Sequence, residues 1–150
     1  MPPKGMTVDD HVIIRFAPIE RCYTHSLKEE SGALNEATSC YENDEMQAYL
    51  KGWSDLVKAN PGSQLWIWEY TINFRDTYAP FPNIYALAED IKYYYDLGVN
   101  GIYLQNTDRL GGHNTEYNDL RIYLLSTLLR DPEADIEKET EFFLHEYYGD

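Results

Sequence analysis

Gln64-Leu65-Trp66-Ile67-Trp68-Glu69-Tyr70-Thr71, then a proline-rich loop, a helix-like stretch from Ile84 to Gly98, and Val99-Asn100-Gly101-Ile102-Tyr103-Leu104-Gln105 make up the segment on which the fold turns. The two flanking runs are apolar, rich in aromatic and β-branched residues, and of strand length. Between them Ile84, Leu87, Ala88, Ile91, Tyr94 and Tyr95 recur at the spacing of one helical face, with Asn83 placed as N-cap and Gly98 as the helix stop. Strand, helix, strand is the unit of a parallel sheet joined by right-handed crossovers. The segment also has the composition of a sugar-binding floor. The rings of Trp66, Trp68, Tyr70, Phe74, Tyr78 and Phe81 offer flat faces to pyranose C–H groups, while Glu69, Asn73, Arg75 and Asp76 can hydrogen-bond hydroxyls. The competing reading is that many of these rings are core.

Working outward, His11 to Pro18 reads as a short strand ended by proline, after an irregular lead-in over residues 1–10. A long loop from Glu20 to Asn43 precedes a helix capped by Asn43 or Asp44, whose stripe of Met46, Tyr49, Leu50, Trp53, Leu56 and Val57 ends near Asn60-Pro61-Gly62. Beyond Gln105, a loop over Asn106 to Asn114 leads to a helix from Thr115 to Arg130 with Tyr117, Leu120, Leu124 and Leu128 on one face. Asp131-Pro132 breaks it, and Asp135 or a neighbour starts a last helix that stops before Gly149. The expected order is β-α-β-α-β followed by a helix pair, in one segment of 150 residues. Three parallel strands leave a sheet edge and a face to be covered, so the segment is expected to be part of a larger barrel.

The formal net charge of −14 disfavours nucleic acid and anionic membrane surfaces as partners, and favours neutral or cationic ligands. An apolar content of 43% with 14 tyrosines and 3 tryptophans is that of a folded chain. The longest lightly polar run, Ile122 to Leu129, is too short to span a bilayer, and the first ten residues have no apolar signal core. The compartment is left unread. Cys22 and Cys40 could pair or remain thiols.

In a parallel α/β arrangement, ligands gather at the carboxyl ends of strands. Here those ends carry Glu20, Arg21, Tyr23 and His25; then Glu69, Tyr70, Asn73, Arg75 and Asp76; then Gln105, Asn106 and Asp108. Glycoside hydrolysis needs two carboxyl groups across one bond. Glu69, among rings that would desolvate it, is the first candidate acid, and Asp76 and Asp108 are the second. The alternative for Glu69 is a structural ion pair with Arg15 or Arg75. His25, three residues from Cys22, suggests a metal pair, but no second CxxC or HxxxH pair exists and no metal site is expected. Neither GxGxxG, a Walker loop nor GxSxG occurs, and no cofactor is expected.

The run Arg21-Cys22-Tyr23-Thr24-His25-Ser26-Leu27, then Trp68-Glu69-Tyr70 with Asn73-Phe74, Tyr78 to Asn83, Gly98 to Gln105, Leu120 to Leu125, and Asp131 to Asp135 resembles a family of bacterial proteins with a domain of unknown function. That domain looks like a glycoside-hydrolase (β/α)8 barrel, similar to α-glucuronidase and family 20 hexosaminidase barrels. The resemblance implies the C-terminal portion of such a TIM-type barrel, its remaining strands supplied by a parent chain or by self-association. It also implies a sugar-active role, and with the strand-end reading the expected oligosaccharide is bound by Arg21, Tyr23, His25, Tyr70, Asn73, Tyr78, Phe81, Gln105 and Asn106, with Glu69 or Asp76 as catalytic carboxylates. A noncatalytic sugar-binding or interaction module, or a segment without independent activity, is the alternative.

Overall fold

A computed structural model describes residues 1–28, 40–77, 79–106 and 116–149. Its elements follow the expected order: β1 (Ile13–Phe16), α1 (Tyr41–Ala59), β2 (Gln64–Tyr70), α2 (Ile84–Asp96), β3 (Gly101–Gln105), α3 (Asn118–Arg130) and α4 (Ile136–Tyr148). The three strands form one parallel sheet in the order β1-β2-β3, with Ile14 opposite Leu65, and Trp68 opposite Tyr103. The chain is therefore α/β with three parallel strands and four helices.

Alternation along β2 divides the sheet into two unlike faces. Leu65 and Ile67 point into a core with Leu27, Leu50, Val57 and Tyr94, so α1 and α2 cover that side. A second cluster of Leu87, Ile91, Leu125 and Leu128 takes in Ile102 and Leu104 of β3 and binds α3 to α2. Each fully buried leucine or isoleucine there contributes roughly 1.5–3 kcal/mol. On the opposite face lie Ile13, Arg15, Trp66, Trp68, Tyr70 and Tyr103, and Ile13 and Tyr103 remain 55% and 50% exposed. Among the described residues no helix covers this side.

Several boundaries differ from the sequence expectation for local reasons. His11 has φ 66°, in the left-handed region, so extended backbone begins only after it. β3 starts at Gly101 because the Asn100 side chain accepts the Leu65 N–H at 2.9 Å, closing the strand's entrance. At that point Gly101 lies under the Trp66 indole, where a Cβ would come within 2.8 Å of the ring. Gly98, at φ 77°, stops α2 as expected: its N–H donates to Tyr95 O and the Val99 N–H to Tyr94 O, the paired bonds of a Schellman ending.

Asn43 does not cap α1, whereas Asn83 stands at the N-cap of α2 as expected but gives no side-chain capping bond. α1 begins at Tyr41, with Cys40 as the preceding residue, because the Asn43 side chain is turned inward to the loop after β1. Asn83 likewise reaches Thr71 O and Arg121. Tyr117, placed on the buried stripe of α3 by its spacing, is instead a left-handed residue before the helix and largely exposed. Asp135 does cap α4, accepting from the N–H groups of Glu137 and Lys138. That helix buries none of its residues fully and leans on α3 through rings, Phe143 standing 5.3 Å from Tyr123.

Candidate functional site

Three groupings of polar and aromatic residues lie near the carboxyl end of the sheet. The first is the exposed aromatic face. Trp68 stacks beside Tyr70 at 6.4 Å and meets Tyr103 edge-on at 5.0 Å, and the Arg15 guanidinium sits 4.7 Å from its ring centre. The Trp68 indole N–H donates to Gln105 Oε1 at 2.8 Å, which fixes the ring plane. Phe74 extends the strip past the strand end, edge-on to Tyr70 at 6.0 Å. Parallel register places these rings side by side, because Trp68 and Tyr70 face Tyr103 and Gln105 at matching levels.

The second grouping is buried beneath the opposite face. Glu69 is 0% exposed. Its Oε2 accepts from Arg21 Nη1 at 3.1 Å and from the Tyr94 hydroxyl at 2.5 Å, and its Oε1 from the Tyr70 N–H at 2.9 Å. Arg21 also pairs with Asp90, whose other oxygen accepts from Ser26 Oγ and the Leu27 N–H. Burial holds the Glu69 carboxyl above the usual carboxylate range against the pull of Arg21, and raises Asp90 to about 6. Expected as a ligand-facing acid, Glu69 is instead a buried structural carboxyl on the helix side of the sheet. Its cation is Arg21, not Arg15 or Arg75, and Arg21 is thereby withdrawn from the ligand-binding set.

A third grouping was not expected. Cys22 and His25 follow β1, Cys40 stands at the start of α1, and one potential ligand atom from each lies within 4.8 Å of the others. Cys22 Sγ and His25 Nδ1 are 3.5 Å apart, and both cysteines are free thiols. Burial pushes the Cys22 thiol up, but hydrogen bonds from the Thr24 backbone, Cys40 and His25 outweigh it and bring it to about 7; burial and the bond to Cys22 push Cys40 up to about 11. The absence of a second CxxC or HxxxH pair, on which a metal was discounted, loses its force once Cys40 arrives from a distant position.

The remaining expected residues divide. Tyr23 packs between the Arg21 guanidinium and Phe81, ring centres 5.8 Å apart in the latter case, with its hydroxyl donating to the Ile19 carbonyl. Asn73 organises its own loop by accepting the N–H groups of Arg75 and Asp76, and Asp76 accepts the Ala79 N–H. Phe81 lines a cleft of about 230 Å³ between its loop and α3. Arg121 ties the two together, donating to Thr71 O, Asn83 Oδ1, Phe81 O and Glu116 Oε1. Asn106 bridges Thr71 Oγ1 and Asn118. Tyr78 and Asp108 lie outside the described residues.

The model of a domain of unknown function, DUF4838, matches residues 1–150. The chain belongs to that family. For this DUF4838 chain no curated protein matches, and no solved structure matches. The residues that sequence reasoning missed in the DUF4838 chain are Asp90, Tyr94, Tyr103 and Arg121, together with the meeting of Cys40 with both Cys22 and His25. Asp90 carried a usable signal: it sits between Leu87 and Ile91 on the apolar stripe of α2, where a carboxylate requires a buried partner.

Proposed function

We propose that this chain is a carbohydrate-binding segment of a glycoside-hydrolase-like (β/α)8 barrel, and that its ligand surface is the aromatic face of the sheet. The observation that supports the reading best is the strip of Trp68, Tyr70 and Tyr103 flanked by Arg15 and Gln105, on the side of a parallel sheet that its helices leave open. In a barrel that side is the packed interior, and ligands bind where it opens at the carboxyl end of the strands, the end at which Tyr70 and Gln105 lie. Flat rings with an amide and a guanidinium at their edges suit a neutral polyol: the rings take its C–H face and the polar groups its hydroxyls. An acidic chain adds no penalty for an uncharged sugar.

Binding is the part of the reading this chain carries. Glu69 is engaged by Arg21 and Tyr94, and Asp76 by its own loop, so hydrolysis would draw its carboxylate pair from elsewhere in a complete barrel. The test is calorimetry against a panel of neutral, N-acetylated and uronic acid oligosaccharides, with Trp68→Ala and Tyr103→Ala alongside. Saturable binding to one class, weakened about 5–10-fold by loss of either ring, is expected. Absence of binding to every member of the panel by a folded chain would sink the proposal. Binding that both variants retain would move the site off this face.

A further inference from the structure

We propose that Cys22, His25 and Cys40 bind a zinc-class divalent metal ion that fastens the start of α1 to the loop after β1. Two thiolates and one imidazole are the donor set that selects zinc over the hard cations. Four-coordinate zinc has Zn–S bonds near 2.3 Å and Zn–N bonds near 2.0–2.1 Å, so the S···N edge of its tetrahedron is about 3.5 Å. The Cys22 Sγ to His25 Nδ1 separation is 3.5 Å, and the whole triad lies within 4.8 Å. A contraction of about 1 Å at the widest edge completes the three-ligand geometry. Among the described residues no fourth ligand joins them, which leaves that position to water or an added ligand. Glu42, with Oε2 3.7 Å from Cys40 Sγ, adds negative charge beside the site.

The triad is held in place by buried groups whose bonds converge on it. Asn43, 1% exposed, accepts the Cys22 N–H at 2.9 Å and donates to His25 O at 3.0 Å, while its own N–H bonds Cys40 O at 2.9 Å. One side chain and its backbone thus touch all three ligand residues. Arg21 donates to Cys22 O and His25 O from the other side, so the turn that carries Cys22 and His25 is clamped twice. This arrangement explains why Asn43 is turned away from helix capping. Groups that orient ligands in this way commonly contribute 10–100-fold to metal affinity.

The experiment is a cobalt(II) titration of the reduced 150-residue chain without oxygen, followed by zinc. The expected result is one equivalent of cobalt with thiolate-to-metal charge-transfer absorption and intense visible bands of a four-coordinate site, displaced by zinc. Cys22→Ser or Cys40→Ser should remove the charge-transfer band or halve it, and Asn43→Ala should weaken cobalt binding about 10–100-fold. Should a variant fail to fold, thiol reactivity of the unaltered chain decides: one equivalent of zinc should protect both cysteines from a thiol reagent. The proposal is overturned by a reduced, folded chain that shows no charge-transfer band, or by thiols that stay fully reactive with zinc present.

Discussion

Replacing Arg21 by Met should reveal how much of the fold depends on one buried cation. Arg21 faces Glu69 and Asp90, and all three side chains are 0% exposed. Its removal leaves two buried carboxyl groups without their cation, and unpairing a buried ion pair costs about 3–5 kcal/mol. Against the roughly 5–15 kcal/mol of an ordinary domain, that loss is large. Its pH dependence follows from the direction of the shifts. Asp90 is held at about 6 and Glu69 above its usual range even with Arg21 present, and loss of the guanidinium raises both further. A carboxyl whose folded value is raised binds more protons folded than unfolded. Stability is therefore fully present below the ordinary carboxylate value and declines as pH rises through the folded value. The variant should lose on the order of 1.4 kcal/mol per pH unit for each such group across this window. Urea unfolding followed by tryptophan fluorescence at about pH 5.5 and 7.5 measures it. A variant within about 1 kcal/mol of the parent at the higher pH, or one more stable there than at the lower, would refute the reasoning.

Other substitutions separate the roles of neighbouring residues. Glu69→Gln should cost about 1–3 kcal/mol by chemical denaturation and leave glycan affinity within about twofold, since the side chain lies on the helix face. Arg121→Lys should lower stability by about 2–3 kcal/mol and speed amide exchange over residues 79–83, because an ammonium cannot reproduce the guanidinium fork that reaches four acceptors. Gly101→Ala should displace the Trp66 indole, shift tryptophan emission and cost about 1–3 kcal/mol; an unchanged spectrum with unchanged stability would contradict the close approach of that ring.

How far the sequence could be read depended on the range of the forces involved. The stripe Leu87, Ile91 and Tyr94, the stop at Gly98 and the cap at Asp135 express contacts within a few residues, and each was legible. Asn43 has the side chain of a cap and was misread for that reason, while Asn83 does occupy the N-cap of α2 with its side chain turned elsewhere. Partners far along the chain, Cys22 for one and Arg121 for the other, outcompete the local amide hydrogens. Glu69 was misread in the same way: aromatic neighbours along the strand suggested a ligand-facing site, but adjacent strand residues point to opposite faces.

The sequence by itself determined the α/β alternation and most helices, because periodicity and turn chemistry are written in adjacent residues. Only the tertiary structure decided which side of the sheet each strand residue occupies. It drew Arg21, Glu69 and Asp90 into one buried network, and gathered Cys22, His25 and Cys40 around a common point. Those groupings join positions up to about 70 residues apart in the sequence, and such juxtapositions arise from packing the helices on the sheet rather than from any local preference.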